Sequence, residues 1–114
     1  MQNCLFCKIA KKEIPADVVF EDEEIVVFKD INPAAPVHLL LIPKKHIPTF
    51  FDLEENDEKI LGRLQLAARR VAEEMGLAGK GFRLVSNCGK DAEQLVAHIH
   101  YHLLGGRHFN WPPG

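Results

Sequence analysis

Short apolar segments separated by charged or turn-forming residues dominate the first half of the chain. VVFE (18–21) and IVVFK (25–29) are rich in β-branched residues and flank the acidic stretch DEE, which predicts the two strands of a hairpin. The turn-forming segment DINPAAP follows, and HLLLIP (38–43) then reads as a buried strand, because it is short, almost wholly apolar and stopped by Pro43.

The second half of the chain contains one long helical pattern. Ile60, Leu64, Ala67, Val71 and Met75 recur at intervals of three and four, which is the spacing of one helix face. A polar residue, Asp52 or Asn56, is expected to cap the start of this helix, and the pair GL at 76–77 is typical of a left-handed stop.

Three further elements complete the prediction. The segment 4–12 has the apolar spacing of a short helix that ends before Pro15. GFRLVSN (81–87) and HIHYHLL (98–104) predict two strands joined by a polar loop. Several strands around one long helix indicate an α+β fold with a mostly antiparallel sheet of about five strands.

Composition restricts the class of protein. With 114 residues the chain is expected to form a single domain, 1–114, and its 46% hydrophobic and 26% charged content is ordinary for a globular fold. The net charge of −2 and the lack of basic blocks disfavour nucleic-acid binding, and the longest apolar run is too short for a membrane span. The N-terminus lacks the layout of a signal peptide, so we expect a cytoplasmic protein with reduced cysteines.

The segment HIHYHLL holds the most informative chemistry. In a strand, alternate residues share a face, so His98, His100 and His102 are expected on one side. The residues between and after them, Ile99, Tyr101 and Leu103, are expected to face the core. A strand edge that only faced solvent would not need three histidines in five residues, because lysine, glutamate or threonine would serve as well.

Two kinds of chemistry suit these imidazoles. Alternate histidines with a third from a neighbouring strand, such as His38, could bind a catalytic zinc and leave a position open for water. Alternatively, a neutral imidazole could attack phosphorus while a neighbour handles the proton, because its ordinary pKa lies near physiological pH. The residues alone leave both interpretations open.

HIHYHLL matches the pattern His-φ-His-φ-His-φ-φ and resembles the histidine triad (HIT) family of nucleotide hydrolases and transferases. CKIAKKEIPADVVFEDEEIVVFKDINPAAPVHLLLIPKKHI, GFRLVSNCG and HLLGGRHFNWPPG extend the resemblance, in the same order, to its Hint branch over almost the whole chain. The resemblance implies a HIT-type fold that dimerises and hydrolyses a purine nucleotide or nucleoside phosphoramidate at the α-phosphate.

The resemblance also implies roles for individual residues. His100 would be the nucleophile that forms a transient nucleotidyl-histidine, His102 would contact the phosphate and handle protons, and His38 would pack against them. Asn87 would donate to the phosphate, and Asp30 would accept from both ribose hydroxyls, as an ionised carboxylate can. The base would lie in an apolar slot formed by the following residues: Leu5, Phe6, Ile9, Ile14 and Phe28. Ile31 is a further expected nucleotide-binding residue.

Two positions depart from the family pattern. Leu95 stands where many Hint-branch members have Ser or Thr, so a hydroxyl donor is missing, and Glu93 stands where glycine is common. Both are expected at the phosphate, and they put the efficiency and the preferred leaving group in doubt more than the reaction class. The tail would bring Trp111 towards the active site of a partner subunit in a homodimer.

Cys4 and Cys7 form a pair that, from the residues alone, suits a redox couple, buried thiols or half of a zinc site. By resemblance to some bacterial HIT proteins and the related uridylyltransferase branch, His46 and His98 would complete a structural zinc site, which would leave no position for a reactive water. Cys88 is then a spare thiol.

The sequence therefore predicts an enzyme of the nucleoside phosphoramidase type, working through His100. The alternative from another class is a nucleotide-binding sensor or adaptor with little turnover, and a zinc-dependent hydrolase with a three-histidine site is the remaining possibility.

Overall fold

Two helices and five strands make up the fold in the computed structural model, which describes residues 3–114. The first two residues of the predicted domain, 1–114, lie outside this range. The elements in chain order are α1 (Leu5–Ala10), β1 (Val18–Glu21), β2 (Ile25–Lys29), β3 (Val37–Pro43), α2 (Glu58–Glu74), β4 (Arg83–Val85) and β5 (Tyr101–Gly105). Neither helix in this range is long and apolar enough to cross a bilayer.

The strands form one sheet in the order β1-β2-β3-β5-β4, and every neighbouring pair is antiparallel. The central strand β3 pairs with β5, so that Leu40 lies opposite His102 and His38 opposite Leu104. This pairing brings together two segments that are some sixty residues apart along the chain. The predicted α+β fold with a five-stranded antiparallel sheet, a long helix and a short N-terminal helix is confirmed.

The long helix α2 covers one face of the sheet. Its residues Ile60, Leu64 and Val71 are buried and belong to one core cluster with Leu41 and Leu103 of the sheet. These positions follow the helical period of the sequence, because each turn of 3.6 residues returns a side chain to the same face.

A second, smaller core lies on the opposite face. Phe6 of α1 packs there with Val26, Phe28, Leu40 and Ile42. Since successive strand residues point to opposite faces, β2 and β3 supply side chains to both cores. This explains why these two strands are apolar at nearly every position, whereas a strand with one solvated face would alternate.

The last predicted strand begins later than expected. β5 starts at Tyr101, so His98, which lies in a bend, and His100 both precede the strand. The backbone N–H of Ile99 donates to the carbonyl of Ile47 at 2.7 Å, a loop residue outside the sheet, and this contact draws the segment away from the strand ladder. β4 is also shorter than the predicted 81–87.

The start of α2 differs from the prediction as well. Neither Asp52 nor Asn56 caps the helix. Asp52 instead belongs to a separate 3-10 turn capped by Thr49, whose backbone N–H donates to the Asp52 carboxylate, and the residue before α2 is Asp57. The carboxylate of Asp57 instead bonds Lys45 at 2.6 Å and the N–H of Glu54 at 2.9 Å.

The predicted helix stop is confirmed. Gly76 has a φ of 77°, and its N–H and that of Leu77 bond the carbonyls of Glu73 and Ala72.

Candidate functional site

A cavity of about 920 Å³ opens on the sheet face opposite α2. One part of its wall is apolar and is built from α1, β2 and β3, while the loop before β5 forms the rim. The residues predicted to bind nucleotide line it, except for Trp111: Leu5, Phe6, Ile9, Ile14, Phe28, Asp30, Ile31, Asn87, Glu93, Leu95, His100 and His102. The structure thus brings together positions from the first ten residues to the last fifteen.

Several lining residues were missed by sequence reasoning. Most are chain neighbours of predicted residues, and Leu40 lies opposite His102 in the β3–β5 register. The chain neighbours could have been predicted from their position beside the predicted residues. Leu40 could not, because in the sequence it resembles any core residue of a buried strand. The missed residues are Pro15, Ala16, Asp17, Lys29, Asn32, Leu40, Ala92 and Val96.

His100 is buried and has a defined protonation pattern. Its Nδ1 lies 2.8 Å from the backbone carbonyl oxygen of His98. A carbonyl only accepts, so Nδ1 carries the hydrogen and Nε2 keeps its lone pair. Nε2 has no hydrogen-bond partner within residues 3–114. Burial lowers the pKa of His100 and keeps its ring neutral. This effect outweighs the hydrogen bond to His98 and the charge of Asp30, which both act to raise the pKa.

His38 and His102 form a hydrogen-bonded chain, which gives His102 the reverse of the protonation pattern of His100. The N–H of Ala34 donates to Nδ1 of His38 at 3.0 Å, so the hydrogen of His38 is on Nε2. That nitrogen lies 2.9 Å from Nδ1 of His102 and 3.3 Å from a carboxylate oxygen of Asp30. His102 therefore accepts at Nδ1 and carries its own hydrogen on Nε2. Burial, as the largest cause, lowers the pKa values of both His38 and His102.

The two catalytic candidates that line the cavity thus differ in what they offer. The rings of His100 and His102 lie 5.1 Å apart between centroids. His100 offers a lone pair and His102 offers an N–H donor, a division imposed by one backbone carbonyl on one side and by Ala34 and His38 on the other. His38 does not line the cavity and lies behind His102, to which it is hydrogen-bonded.

Asp30 is held at the end of β2. One of its oxygens accepts from the N–H of Asn32 at 2.8 Å, and the other faces His38. Each carboxylate oxygen has two acceptor positions, so the group retains capacity for hydroxyl donors in the cavity.

Cys4, Cys7, His46 and His98 converge on one point, as the resemblance implied. Their potential ligand atoms all lie within 4.8 Å of one another. Cys4 Sγ and Cys7 Sγ lie 3.4 and 3.6 Å from Nδ1 of His98, and Cys7 Sγ lies 3.2 Å from Nδ1 of His46. A tetrahedral zinc ion with Zn–S of about 2.3 Å and Zn–N of about 2.1 Å separates such ligands by roughly 3.6 Å.

The protonation of His98 also suits a metal ligand. Its Nε2 lies 2.7 Å from the carbonyl oxygen of Pro43 and must carry the hydrogen, which leaves the lone pair of Nδ1 towards the two sulfurs. Burial, the largest cause, lowers the pKa of His98 to about 4. Burial likewise raises the pKa of the Cys7 thiol. The donor set and its orientation therefore fit Zn²⁺.

A second metal-compatible group within residues 3–114 consists of Asp30, His38 and His102. It does not include His100, so it differs from the three-histidine set expected for a catalytic zinc. The 2.9 Å between the nitrogens of His38 and His102 is a hydrogen-bond distance.

The loop before β5 is fixed by Gln94, which sequence reasoning did not single out. Its side-chain amide donates to the carbonyls of Pro48 at 2.6 Å and Val96 at 3.0 Å and accepts from the N–H of Gly89. Next to it, Glu93 has a φ of 56°, a conformation that glycine adopts at lower cost. Leu95 is 89% exposed at the cavity rim.

The C-terminal tail folds back on the chain. Phe109 lies between two guanidinium groups, 4.2 Å from Arg107 and 5.3 Å from Arg83, and Arg83 also donates to the carbonyl of Asn110. Trp111 remains 81% exposed, away from the cavity of its own chain.

Comparison with known proteins gives consistent matches over nearly the whole chain. A family profile for "Scavenger mRNA decapping enzyme C-term binding" matches residues 3–110. An uncharacterised HIT-like protein of Synechocystis sp. is 50% identical over 113 residues, 99% of this chain and 98% of that protein.

Solved structures match equally well. A HIT family hydrolase from Legionella pneumophila is 54% identical with a TM-score of 0.96, covering 98% of this chain and all of that one. A histidine triad nucleotide-binding protein from Candida albicans is 30% identical with a TM-score of 0.84, covering 96% of this chain and 83% of that one. With His100 and His102 of the triad on the cavity wall and these similarities over its length, the chain belongs to the histidine triad family.

Proposed function

We propose that this protein is a nucleotide-binding hydrolase that cleaves purine nucleoside phosphoramidates, or related nucleotide conjugates, at the α-phosphate. The observation that carries the proposal is the fixed difference between His100, with a free Nε2 lone pair, and His102, with an Nε2–H. A nucleophile needs the first and a phosphate donor needs the second. The relatives named as HIT family hydrolase and histidine triad nucleotide-binding protein support the same general activity.

The first step is attack by Nε2 of His100 on phosphorus, which forms a P–N bond and breaks the bond to the leaving amine. Bond formation places positive charge on the ring, and the Nδ1–H donated to the carbonyl of His98 stabilises it. In the second step water attacks phosphorus, the bond to His100 breaks and the nucleotide leaves.

The amine takes up one proton and the water releases one, so the two steps together leave the site unchanged. His102 would handle this proton and hold the phosphate oxygens, with His38 fixing its orientation from behind. Asn87 would donate to the phosphate, and the carboxylate of Asp30 would accept from the ribose hydroxyls. The base would occupy the apolar slot formed with Phe6 and Phe28.

Incubation with an adenosine phosphoramidate tests the proposal. Wild-type protein should release AMP, and His100→Ala should bind AMP but release none. The Lys59→Ala variant, changed at an exposed position of α2 outside the cavity, is the control and should keep its turnover. Binding by the wild type without release of AMP would contradict an enzyme and favour a nucleotide-binding sensor or adaptor.

A structural zinc ion held by Cys4, Cys7, His46 and His98 is part of the proposal. Such an ion would tie α1 to the segment that carries His100 and would supply no reactive water, because protein ligands fill its tetrahedron. Elemental analysis should find one zinc per chain, lost in Cys7→Ser and retained in Cys88→Ser. Loss of turnover on chelation while the protein stays folded would contradict a purely structural role.

We also propose that residues 1–114 act as one domain, that the protein is cytoplasmic and that it forms a homodimer. Large exposed apolar side chains, among them Trp111 at 81% and Phe51 at 91% exposure, support an interface between subunits. Trp111 would then reach the partner's site. Light scattering after size-exclusion chromatography should give twice the chain mass, and a monomer at micromolar concentration would contradict the dimer.

A further inference from the structure

The charges that line the cavity are unusual for a site that binds phosphate. Among residues 3–114 the charged side chains on its wall are the acidic Asp17, Asp30 and Glu93 and the basic Lys29. Lys29 lies 3.6 Å from the carboxylate of Asp17, so its charge is offset locally. The cavity wall therefore carries net negative charge, which favours ligands with little negative charge of their own.

The direction of the leaving group follows from the position of the nucleophile. His100 is only 7% exposed, and its ring lies 4.9 Å from that of Phe6, also buried. In a displacement at phosphorus the attacking and leaving atoms lie roughly in line. The leaving group is therefore directed away from His100, towards the open side of the cavity.

Glu93 and Leu95 lie on that open side. Both residues are exposed and both line the cavity from the loop between β4 and β5 that leads into His100, whereas the slot proposed for the base is built around α1 and β2. Gln94 between them is held by three hydrogen bonds, so the rim is fixed in place. A carboxylate at the rim repels anionic groups and attracts cationic ones, with a strength that falls with added salt.

We propose that Glu93 is a specificity-determining residue, which selects nucleoside phosphoramidates whose leaving amine carries a positive charge and disfavours leaving groups that carry carboxylate or further phosphate. This inference rests on the proposed function and specifies its substrate class. The selection acts on the leaving group because the base and ribose are bound at the other end of the cavity.

Three adenosine phosphoramidates of similar size test the proposal: the conjugates of diaminobutane, pentylamine and aminobutanoate, whose free ends are cationic, neutral and anionic. At low salt we expect kcat/KM to fall in that order, by roughly threefold to tenfold at each step for exposed charges near one another. High salt should reduce the differences in kcat/KM among the three substrates, because it screens the charge of Glu93.

Glu93→Gln should bring the three kcat/KM values together, since it removes the charge and keeps the size of the side chain. The matched control is Asp91→Asn, on the same loop, equally exposed and outside the cavity lining, which should keep the wild-type order.

Equal rates for the three substrates in the wild type, or an equal effect of both variants, would overturn the role of Glu93 and leave the hydrolase intact. Release of no AMP from any of the three would overturn the proposed function, and the inference with it.

Discussion

Burial of the neutral His98 predicts that acid destabilises the protein well above the pH at which carboxylates titrate. The pKa of His98 is about 4 in the folded chain, against an ordinary value near 6.5. The folded state therefore resists protonation, and below pH 6.5 the unfolded state binds a proton that the folded state does not. The contribution of His98 to the free energy of unfolding is therefore largest above pH 6.5 and is lost as the pH drops towards 4.

The magnitude follows from these two values. Between pH 7.5 and 5, the unfolded chain gains about 2 kcal/mol from protonating this one imidazole, while the folded chain gains almost nothing. At pH 4 the difference is about 3 kcal/mol, close to its full value. His98 has no exposed surface, so solvent screening does not reduce the effect. Burial also lowers the pKa values of three further histidines, which adds to the loss of stability in acid: His38, His100 and His102.

Urea unfolding measured at half-unit intervals of pH, with a chelator present so that metal release does not contribute, tests this prediction. The free energy of unfolding should decline steadily from pH 7 to 5. In His98→Asn the decline over this range should be smaller by about 2 kcal/mol, whereas His108→Asn at an exposed histidine should follow the wild type. A flat profile between pH 7.5 and 5 would refute the buried neutral imidazole.

Three further predictions concern the cavity and the tail. Leu95→Ser should raise kcat/KM for a phosphoramidate roughly ten- to a hundredfold, because a hydrogen bond to a charged group contributes about 1.5–3 kcal/mol; unchanged steady-state kinetics would count against a missing hydroxyl. Asp30→Asn should weaken AMP binding in calorimetry by roughly tenfold and 2′-deoxy-AMP binding by less, since only the first offers both hydroxyls; equal losses would argue against ribose recognition. Truncation after Arg107 should change the dimer or the substrate preference, and light scattering and kinetics that both match the full chain would contradict a role for Trp111.

The local pattern of apolar and polar residues was sufficient to predict much of the fold. The bounds of β1 and β2 agree with the predicted segments, because β-branched runs between acidic turn residues have few alternatives. The start of β5 could not be predicted, since it depends on the bond between Ile99 and Ile47, half the chain away. The true residue before α2, Asp57, was also beyond local reasoning, because its carboxylate is taken by Lys45.

The site depended on long-range pairing to a greater extent. The alternation of histidines placed His98, His100 and His102 together, but nothing in their spacing distinguishes them. Their differences come from groups distant in sequence: Pro43 and the cysteines at His98, and His38 at His102. The family resemblance supplied the cysteines and His38, whereas the bond to the carbonyl of Pro43 could be found only in the structure.

The stereochemical course at phosphorus tests the central claim, a covalent intermediate on His100, most directly. A single diastereomer of an adenosine phosphorothioate amidate, hydrolysed in water labelled with heavy oxygen, gives a chiral product. Each in-line displacement inverts phosphorus, so attack by His100 followed by attack of water predicts overall retention. Overall inversion would mean that water attacks directly, as in a zinc-dependent hydrolase, and would contradict the nucleotidyl-histidine.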